Sequence, residues 1–346
     1  MFDLKAFREQ SLPTQAQITS QWDGSAQLPL VSVICTAFNQ ESYIEDALKG
    51  FLMQKTDFPF EIIIHDDASL DKTADIINYY AKKYPLIIKP ILQEKNQYTI
   101  NAHLPFKNSL DKSVGEYLAL CEGDDFWINP EKLKIQISLM KKHPKINISF
   151  HSSGIACQTK VYSNRIVAMH YKVIKTVNLN SVIKNGGGYM PTASLLIKRD
   201  VLLCLPLWFY SKAPVGDYYI QVLASSPYGA LFVPEIMSAY RVDVEGSWSN
   251  SMHSHIKVKK VLERMVECNK YLSKDLNADE RIKISLKKNI SIASYSFLKN
   301  INIPLLQRKE IYMRYKNYFS VFQKLFWLFI LSNKSSLLLK KIKNIL

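Results

Sequence analysis

The sequence lacks the cysteine spacing of a zinc cage or of a disulfide framework. It contains five cysteines, far apart and with no CxxC pair: Cys35, Cys121, Cys157, Cys204 and Cys268. Isolated cysteines of this kind are typical of reduced thiols in the core of a cytosolic protein. We therefore expect a cytoplasmic protein without a structural zinc site.

Long apolar runs are also missing. The longest late run, "LFWLFIL" from Leu325 to Leu331, falls far short of the roughly 20 residues that cross a bilayer. The first residues, "MFDLKAFREQ", carry acids and no apolar core, which is unlike a secretory signal.

Acidic residues are scarce relative to basic ones. The chain has 45 Lys and Arg against 30 Asp and Glu, a formal charge of +15. Such a balance favours a negative partner, which could be nucleic acid, an anionic membrane or a phosphate-bearing substrate. With 346 residues and 47% hydrophobic content, the chain can bury a large domain and an appendage.

The first half of the sequence alternates short apolar runs with helical patterns. The alternation predicts a parallel sheet with helices on both faces. The predicted strands are Leu30–Phe38, a strand that begins at Phe60, Ile87–Leu92 and Glu116–Cys121. The predicted helices are Ser42–Gln54, a helix that begins after a cap at Asp71, and Asn101–Ser113.

Polar clusters follow three of these strands, at Thr36–Asn39, Asp66–Ser69 and Glu122–Asp125. In parallel sheets, ligands bind beyond the carboxyl ends of the strands because the loops meet there. Alternatively, Asp and Asn only form turns and cap helices. The coincidence of three clusters favours a ligand site.

These segments resemble a known family. "PLVSVICTAFNQESYIEDALKGFLMQ", then "EIIIHDDASLDKTADII" and "EGDDFWINPEKL", are similar in order and spacing to the inverting family 2 glycosyltransferases. The resemblance runs from Pro29 to Ser249 and implies the α/β GT-A fold, which is Rossmann-like with a mostly parallel central sheet flanked by helices. It predicts an N-terminal extension (1–28), a catalytic domain (29–252) and a C-terminal helical appendage (253–346).

The resemblance implies a nucleotide site at the first two clusters. The "TAFN" loop and the "HDDAS" turn match the segments that hold base and ribose, and Ala68 stands where Gly is usual. A carboxylate can accept a hydrogen bond from a pyrimidine N–H, so one of the two aspartates reads the base. The predicted contacts are Thr36, Ala37, Phe38, Asn39, Asp66 and Asp67.

The third cluster corresponds to the family's metal-binding acids. Mg²⁺ or Mn²⁺ bridges diphosphate oxygens with one or two carboxylates and water, and this charge stabilises the leaving diphosphate. We predict Asp125 as the direct metal ligand and Asp124 as facing the ribose or a metal-bound water. Glu122 stands where the family often has Asp.

Two later segments resemble the acceptor side and the catalytic base. In "NGGGYMPTASLLIKRDVL", Met190 and Thr192 are predicted to line the acceptor pocket, although the loop could be only a mobile surface loop. In "APVGDYYIQVLAS", Asp217 is predicted to take the acceptor proton. Its alternative role is a helix cap or first-turn charge.

The segment "YRVDVEGSWS" resembles the family's terminal loop. Arg241 is predicted to grip the diphosphate with its guanidinium fork, and Trp248 to lie on the acceptor side. Asp243 occupies the position of the usual His. His253 and His255 could supply a metal ligand, but two histidines with this spacing and no further ligand nearby are more often surface residues.

Helical patterns fill the rest of the chain, from His255 to Leu272, from a cap at Asp279 to Asn300, and beyond. From Ile301 to Leu346 there are nine basic residues and one acid, a net charge of +8. A basic helix with apolar and aromatic residues binds an anionic membrane interface. Alternatively, the helices pack on the catalytic domain or on another subunit. No nucleic-acid-binding motif accompanies the charge.

The resemblance and the basic tail together imply an inverting transferase that moves a sugar from a nucleotide-diphosphate donor, such as a UDP-sugar, to a hydroxyl of a bacterial surface glycan, free or lipid-linked. We expect it on the inner face of the cell membrane. One alternative is a sugar nucleotidyltransferase, which needs a Gly-rich phosphate loop that "TAFNQES" lacks. The other is a non-catalytic glycan- or membrane-binding module on a decayed transferase fold.

Overall fold

The structure is a computed structural model and describes residues 2–24, 28–244, 255–300 and 303–330. These residues form two compact units. The larger unit contains 2–24, 28–182, 187–211 and 215–244, and the smaller contains 183–186, 212–214, 255–300 and 303–330.

A mixed sheet forms the centre of the larger unit. Its strand order is β3-β2-β1-β4-β9-β6-β10-β5, with β7 paired to β6 and β8 to β10. The strands are β1 (Val31–Ala37), β2 (Phe60–Asp66), β3 (Ile88–Leu92), β4 (Tyr117–Leu120), β5 (Phe126–Trp127), β6 (Ile148–Ala156), β7 (Val161–Val167), β8 (Lys175–Val177), β9 (Leu196–Lys198) and β10 (Ala230–Arg241).

Helices connect most of these strands. They are α1 (Leu4–Glu9), α2 (Gln15–Thr19), α3 (Ile44–Leu52), α4 (Thr73–Lys83), α5 (Gln97–Ile100), α6 (Leu104–Lys112), α7 (Lys132–Lys142), α8 (Leu179–Asn185), α9 (Arg199–Leu203), α10 (Leu207–Lys212) and α11 (Asp217–Ala224). Short 3₁₀ turns occur at Gly187–Tyr189 and Thr192–Ser194.

The predicted α/β fold is confirmed, and its first half has the predicted parallel pairing. Strand β1 pairs in parallel with β2 and β4, and β2 with β3. The second half is more varied than the prediction of a mostly parallel sheet, because β9 runs antiparallel to both β4 and β6. Strand β10 is parallel to β6 but antiparallel to β5 and β8.

Helix α3 packs its apolar stripe onto the sheet as its sequence pattern predicts. The side chains of Ile44, Leu48 and Phe51 are completely buried, and each contributes about 1.5–3 kcal/mol by leaving water. The backbone of α3 also approaches β5 closely, since a Cβ at Gly50 would lie 2.6 Å from the carbonyl oxygen of Trp127. Glycine at this position therefore fixes the distance between α3 and β5.

The smaller unit is helical, as predicted. Its long helices are α12 (His255–Asp275), α13 (Glu280–Lys299), α14 (Leu305–Tyr315) and α15 (Val321–Ile330). They share a buried cluster that includes Leu262, Leu298 and Trp327. The predicted cap at Asp279 is confirmed, because its carboxylate accepts a hydrogen bond from the N–H of Ile282 at 2.8 Å.

The excess positive charge belongs almost entirely to this region. Residues 255–346 contain twenty Lys and Arg and six Asp and Glu, a net charge of +14 out of +15 for the whole chain. In the part of the chain that the structure describes, every helix is too short or too polar to cross a membrane.

Two local predictions need correction. The N-cap position of α4 is Lys72, although the Asp71 carboxylate still accepts a hydrogen bond from the N–H of Thr73 at 2.9 Å. The prediction of core thiols holds for three of the five cysteines, because Cys157 is half-buried and Cys204 is exposed. All five are free thiols.

Candidate active site

The carboxyl ends of β1, β2 and β4 meet at one edge of the sheet, and the three polar clusters follow them. In the strand register, Ala37 lies beside Asp66, and Ile34 lies beside Leu120. Residues 122–125, which we call the acid turn, join β4 to β5. The N–H of Gly123 donates to the carbonyl of Thr36 at 3.0 Å, so the acid turn is held against the end of β1.

Gly123 permits this close approach. A Cβ added there would lie 2.4 Å from Oε1 of Gln40 and 2.9 Å from the side chain of Ile44. A side chain at this position would have to displace the side chains of Gln40 and Ile44.

The two adjacent aspartates of the acid turn have different environments. Asp125 is 2% exposed, and its Oδ1 accepts a hydrogen bond from the backbone N–H of Arg241 at 2.8 Å. Asp124 is half-buried, which leaves part of its surface on the outside of the turn. Asp125, the predicted direct metal ligand, is thus the buried member of the pair, and Asp124 is the partly exposed one.

Arg241 lies behind the acid turn, where its side chain has no exposed surface. Its Nη1 donates to the carbonyl of Asp124 at 2.6 Å, and its Nη2 donates to Oδ2 of Asp46 at 2.7 Å. The guanidinium also lies 4.8 Å from the ring centres of Tyr43 and Phe126. This placement does not match the predicted grip on a diphosphate, because the sequence pattern carries no information on the buried partner Asp46.

The carboxylates of the acid turn repel one another. Burial, followed by the charges of Asp124 and Glu122, raises the pKa of Asp125 well above its usual value. Burial also raises the pKa of Asp124, against the opposing charge of Arg241. A cation at the turn would offset this repulsion and lower both pKa values.

The residues present fit a divalent cation that a substrate helps to coordinate. Oδ2 of Asp125 is buried without a hydrogen-bond partner among the described residues. Within those residues, no group of three or more His, Cys, Asp or Glu side chains is arranged to hold a metal alone. Mg²⁺ is commonly bound by one or two carboxylates together with substrate phosphates. The acid turn offers that number of ligands.

Asp217 comes to the acid turn from a distant part of the chain. It is the first residue of α11, and its Oδ1 accepts a hydrogen bond from the N–H of Tyr218 at 2.7 Å. Its charge helps to raise the pKa of Glu122, after burial and the charge of Asp124. Burial also raises the pKa of Asp217 itself. Two acidic side chains from different elements are thus close enough for the charge of one to affect the pKa of the other.

The Gly-rich segment packs directly on Asp217. A Cβ at Gly187 would lie 2.7 Å from Oδ2 of Asp217, whereas Gly188 faces open space. The side-chain amide of Gln221, one turn into α11, donates to the carbonyls of Gly187 and Met190 at 2.9 Å. Helix α11 and this segment therefore set the position of the Asp217 carboxylate together.

The predicted acceptor-side residues are placed differently from one another. Thr192 is half-buried, and its hydroxyl lowers the pKa of Glu122 against the larger effect of burial. Met190 is 1% exposed, so its side chain belongs to the core and offers no surface to an acceptor. Trp248 and His253 lie outside the described residues.

The two loops of the predicted nucleotide site are tied together. The N–H of Asn39 donates to Oγ of Ser69 at 2.9 Å, and Oδ1 of Asn39 accepts from the N–H of Leu70 at 2.8 Å. Asn39 has a φ of 51° and Ala68 a φ of 61°. Ala68 thus has the left-handed backbone that explains why glycine is usual at its position. Phe38 and Leu70 are exposed, by 43% and 92%.

Both candidate base readers already accept hydrogen bonds from the protein. Oδ2 of Asp66 accepts from the N–H of Ser69 at 3.1 Å. Oδ1 of Asp67 accepts from the N–H of Gln97 at 2.6 Å, and Oδ2 accepts from that of Tyr98 at 3.0 Å. Each carboxylate oxygen has a second lone pair for a ligand. The geometry therefore keeps both residues as candidates.

Sequence reasoning missed Asp46 and Arg8, which lie with Arg241 behind the acid turn. Asp46 lies in the first turn of α3, where an acid is ordinarily a favourable surface charge. In the structure its side chain is 6% exposed and accepts hydrogen bonds from Arg8 and Arg241. The nearest sequence signal is the glycine at position 50, one turn after Asp46, because it indicates tight packing of that side of α3.

Comparison with known proteins adds a family to this geometry. The sequence model described as Glycosyl transferase family 2 matches residues 32–205. An uncharacterized protein of Mycobacterium tuberculosis is 32% identical over 64% of this chain and 61% of its own length. This chain therefore spans less than two thirds of that relative. The poly(ribitol-phosphate) beta-N-acetylglucosaminyltransferase TarS of Staphylococcus aureus is 32% identical over 62% of this chain and 33% of its own length.

Solved structures show the same fold. Residues 1–349 of S. aureus TarS, in complex with UDP-GlcNAc, align with a TM-score of 0.58 at 18% identity over 83% of this chain and 81% of that one. A mannosyltransferase of Pyrobaculum calidifontis, in complex with GDP-Man and Mn²⁺, aligns with a TM-score of 0.51 at 15% identity over 96% of this chain and 92% of that one. Both likenesses support the GT-A architecture.

Proposed function

The chain belongs to glycosyl transferase family 2, and from that premise we propose that it transfers a sugar from a nucleotide-diphosphate donor to a hydroxyl group of a glycan. The observation that carries this proposal is the approach of Asp217 to the acid turn. A carboxylate from α11 and the acids between β4 and β5 interact electrostatically. Such an arrangement suits a reaction that needs a base on one side and a bound diphosphate on the other.

Asp217 is the proposed general base. In the proposed step, the acceptor hydroxyl gives its proton to the Asp217 carboxylate while its oxygen forms a bond to the anomeric carbon. The bond between that carbon and the diphosphate oxygen breaks, and the diphosphate leaves with the electron pair. Attack opposite the leaving group inverts the anomeric centre. The raised pKa of Asp217 supports this role, because a base works best when its pKa approaches the operating pH.

The acid turn is the proposed holder of a divalent cation and the diphosphate. We place Asp124, the half-buried member of the pair, and Oδ2 of Asp125, which has no hydrogen-bond partner among the described residues, as the ligands. Oδ1 of Asp125 also ties the turn to the backbone N–H of Arg241. When bound, Mg²⁺ or Mn²⁺ would stabilise the negative charge that develops on the diphosphate. The Mn²⁺ in complex with the P. calidifontis mannosyltransferase supports this assignment by analogy.

The proposed donor is a UDP-sugar. The nucleotide would lie in the tied loops after β1 and β2, with Asp66 or Asp67 accepting a hydrogen bond from the uracil N–H. The exposed ring of Phe38 is available for contact with the nucleotide. The UDP-GlcNAc bound to the structural neighbour TarS supports this choice.

The proposed acceptor is a bacterial surface glycan, at an anionic membrane surface. The names of TarS and of the putative teichuronic acid biosynthesis glycosyltransferase TuaG of Bacillus subtilis, 36% identical over 32% of this chain and 42% of its own length, support such an acceptor. The net charge of +14 in residues 255–346 supports contact with anionic lipid. On α15, Val321, Phe322 and Leu325 present exposed apolar surface next to these charges.

The test of the proposed base is the substitution Asp217→Asn. Asparagine keeps the size and the acceptor oxygen that accepts from the N–H of Tyr218, but it takes no proton at neutral pH. We expect UDP-sugar binding and thermal stability close to those of the wild type, and transfer reduced by about 100-fold or more.

Single-turnover transfer measured beside donor affinity separates the outcomes. Transfer by Asp217→Asn at nearly the wild-type rate would leave Asp217 a first-turn residue of α11. A wild-type protein whose melting temperature does not respond to any UDP- or GDP-sugar, with or without Mn²⁺, would favour a non-catalytic module.

A further inference from the structure

We infer that Asp46 and Arg8 are positioning residues for the acid turn and act on it through Arg241. This inference rests on the proposed function, because it concerns how the turn that holds the diphosphate keeps its shape. The three residues come from α1, α3 and the end of β10.

Arg241 fixes two successive residues of the acid turn at once. Its backbone N–H holds the Asp125 side chain at 2.8 Å, and its Nη1 holds the Asp124 carbonyl at 2.6 Å. Since the first contact uses the backbone of Arg241 and the second its side chain, the position of the guanidinium determines where the backbone of Asp124 lies. The direction of the Asp124 carboxylate follows from that backbone.

Asp46 holds the guanidinium in place. Its Oδ2 accepts from Nη2 of Arg241 at 2.7 Å, and the two side chains are 6% and 0% exposed. A buried guanidinium needs an anionic partner, because an unpaired buried charge is strongly unfavourable. Without the charge of Asp46, the guanidinium would lose its anionic hydrogen-bond partner and with it the contact that fixes its position.

Arg8 completes the arrangement from the first helix. Its Nε donates to Oδ1 of Asp46 at 2.9 Å, and its Nη2 donates to Oδ2 at 2.7 Å. Helix α1 is itself anchored, because Nζ of Lys49 donates to the carbonyls of Arg8 and Gln10. The ring of Phe7 stacks on that of Phe126, the residue after the acid turn, at 5.6 Å. The N-terminal helix thus supports the proposed active site from behind.

The test compares Asp46→Asn and Arg8→Ala with a control variant, Lys5→Ala, on the same helix as Arg8. Lys5 makes an exposed ion pair with Glu9 at 3.9 Å. Calorimetric titration of UDP with increasing Mn²⁺ gives the Mn²⁺ concentration for half-saturation, and a thermal melt without ligand gives stability.

We expect Asp46→Asn to raise the Mn²⁺ concentration for half-saturation by about 10-fold or more, the scale for residues that orient metal ligands. Arg8→Ala should raise it less, because Arg241 keeps its bond to Asp46. Lys5→Ala should match the wild type. Binding of UDP without metal should be similar in all four proteins, which a general loosening of the fold would not produce.

Two other results would overturn the inference. One is a lower melting temperature in both variants with unchanged Mn²⁺ half-saturation, which would make the residues merely structural. The other applies if Asp46→Asn does not fold. The Arg8 side chain is 38% exposed, so Arg8→Ala can be tested by itself, and a wild-type Mn²⁺ concentration for half-saturation in that variant would then be enough to reject the inference. A wild-type protein whose UDP binding ignores Mn²⁺ would instead overturn the proposed metal-dependent function.

Discussion

Replacing Gly187 by alanine should damage catalysis although no charged residue is replaced. The new Cβ would lie 2.7 Å from Oδ2 and 3.1 Å from Cγ of Asp217, where ordinary contacts begin at 3.4 Å. The carboxylate must therefore move by about 0.7 Å, the difference between 3.4 and 2.7 Å. The bond from the N–H of Tyr218 to Oδ1, at 2.7 Å, resists that shift.

The size of the effect follows from this displacement. A misplacement of about 1 Å in a reacting group can cost about 100-fold in rate. For Gly187→Ala we expect sugar transfer to fall by about 10- to 100-fold, which is an added barrier of about 1.4–2.7 kcal/mol. Donor affinity should stay near that of the wild type, because the nucleotide loops and the acid turn belong to other segments.

The neighbouring Gly188→Ala is the matched control. It makes the same change in the same 3₁₀ turn, but a Cβ there meets nothing within 4 Å. Single-turnover transfer and donor titration of both variants give the comparison. Equal transfer rates for the two alanine variants would refute the reasoning, and so would a loss confined to donor affinity.

The remaining predictions concern backbone strain and the membrane. Ala68→Gly should raise the free energy of unfolding by up to about 1 kcal/mol in urea denaturation, because Ala68 has a φ of 61°; a less stable variant would contradict this. Lys316→Glu and Lys324→Glu should each weaken binding to phosphatidylglycerol vesicles by about 5-fold or more, since a basic residue near the surface contributes about 1 kcal/mol. Donor hydrolysis in solution should be unchanged, and vesicle binding equal to that of the wild type would argue against a membrane surface on these helices.

The local elements of the fold could be predicted because their residues carry the signal themselves. The apolar run before Asp66 and the stripe that includes Phe51 report strand and helix periods directly. The close approach at Gly123 was not predictable in the same way. Its neighbour Gln40 belongs to a loop more than eighty positions earlier, and only the folded chain brings the two together.

The sequence by itself determined the order of strands and helices in the first half of the chain, their parallel pairing and the clustering of acids at the edge of the sheet. These follow from hydrophobic period and from the rule that parallel strands end at a shared edge. Only the tertiary structure decided which acid faces outward. Asp46 and Arg241 are 195 positions apart, and their buried contact turns a predicted phosphate ligand into a support for the acid turn. Burial and ion pairing depend on neighbours in space, and the periodicity of a sequence does not record those neighbours.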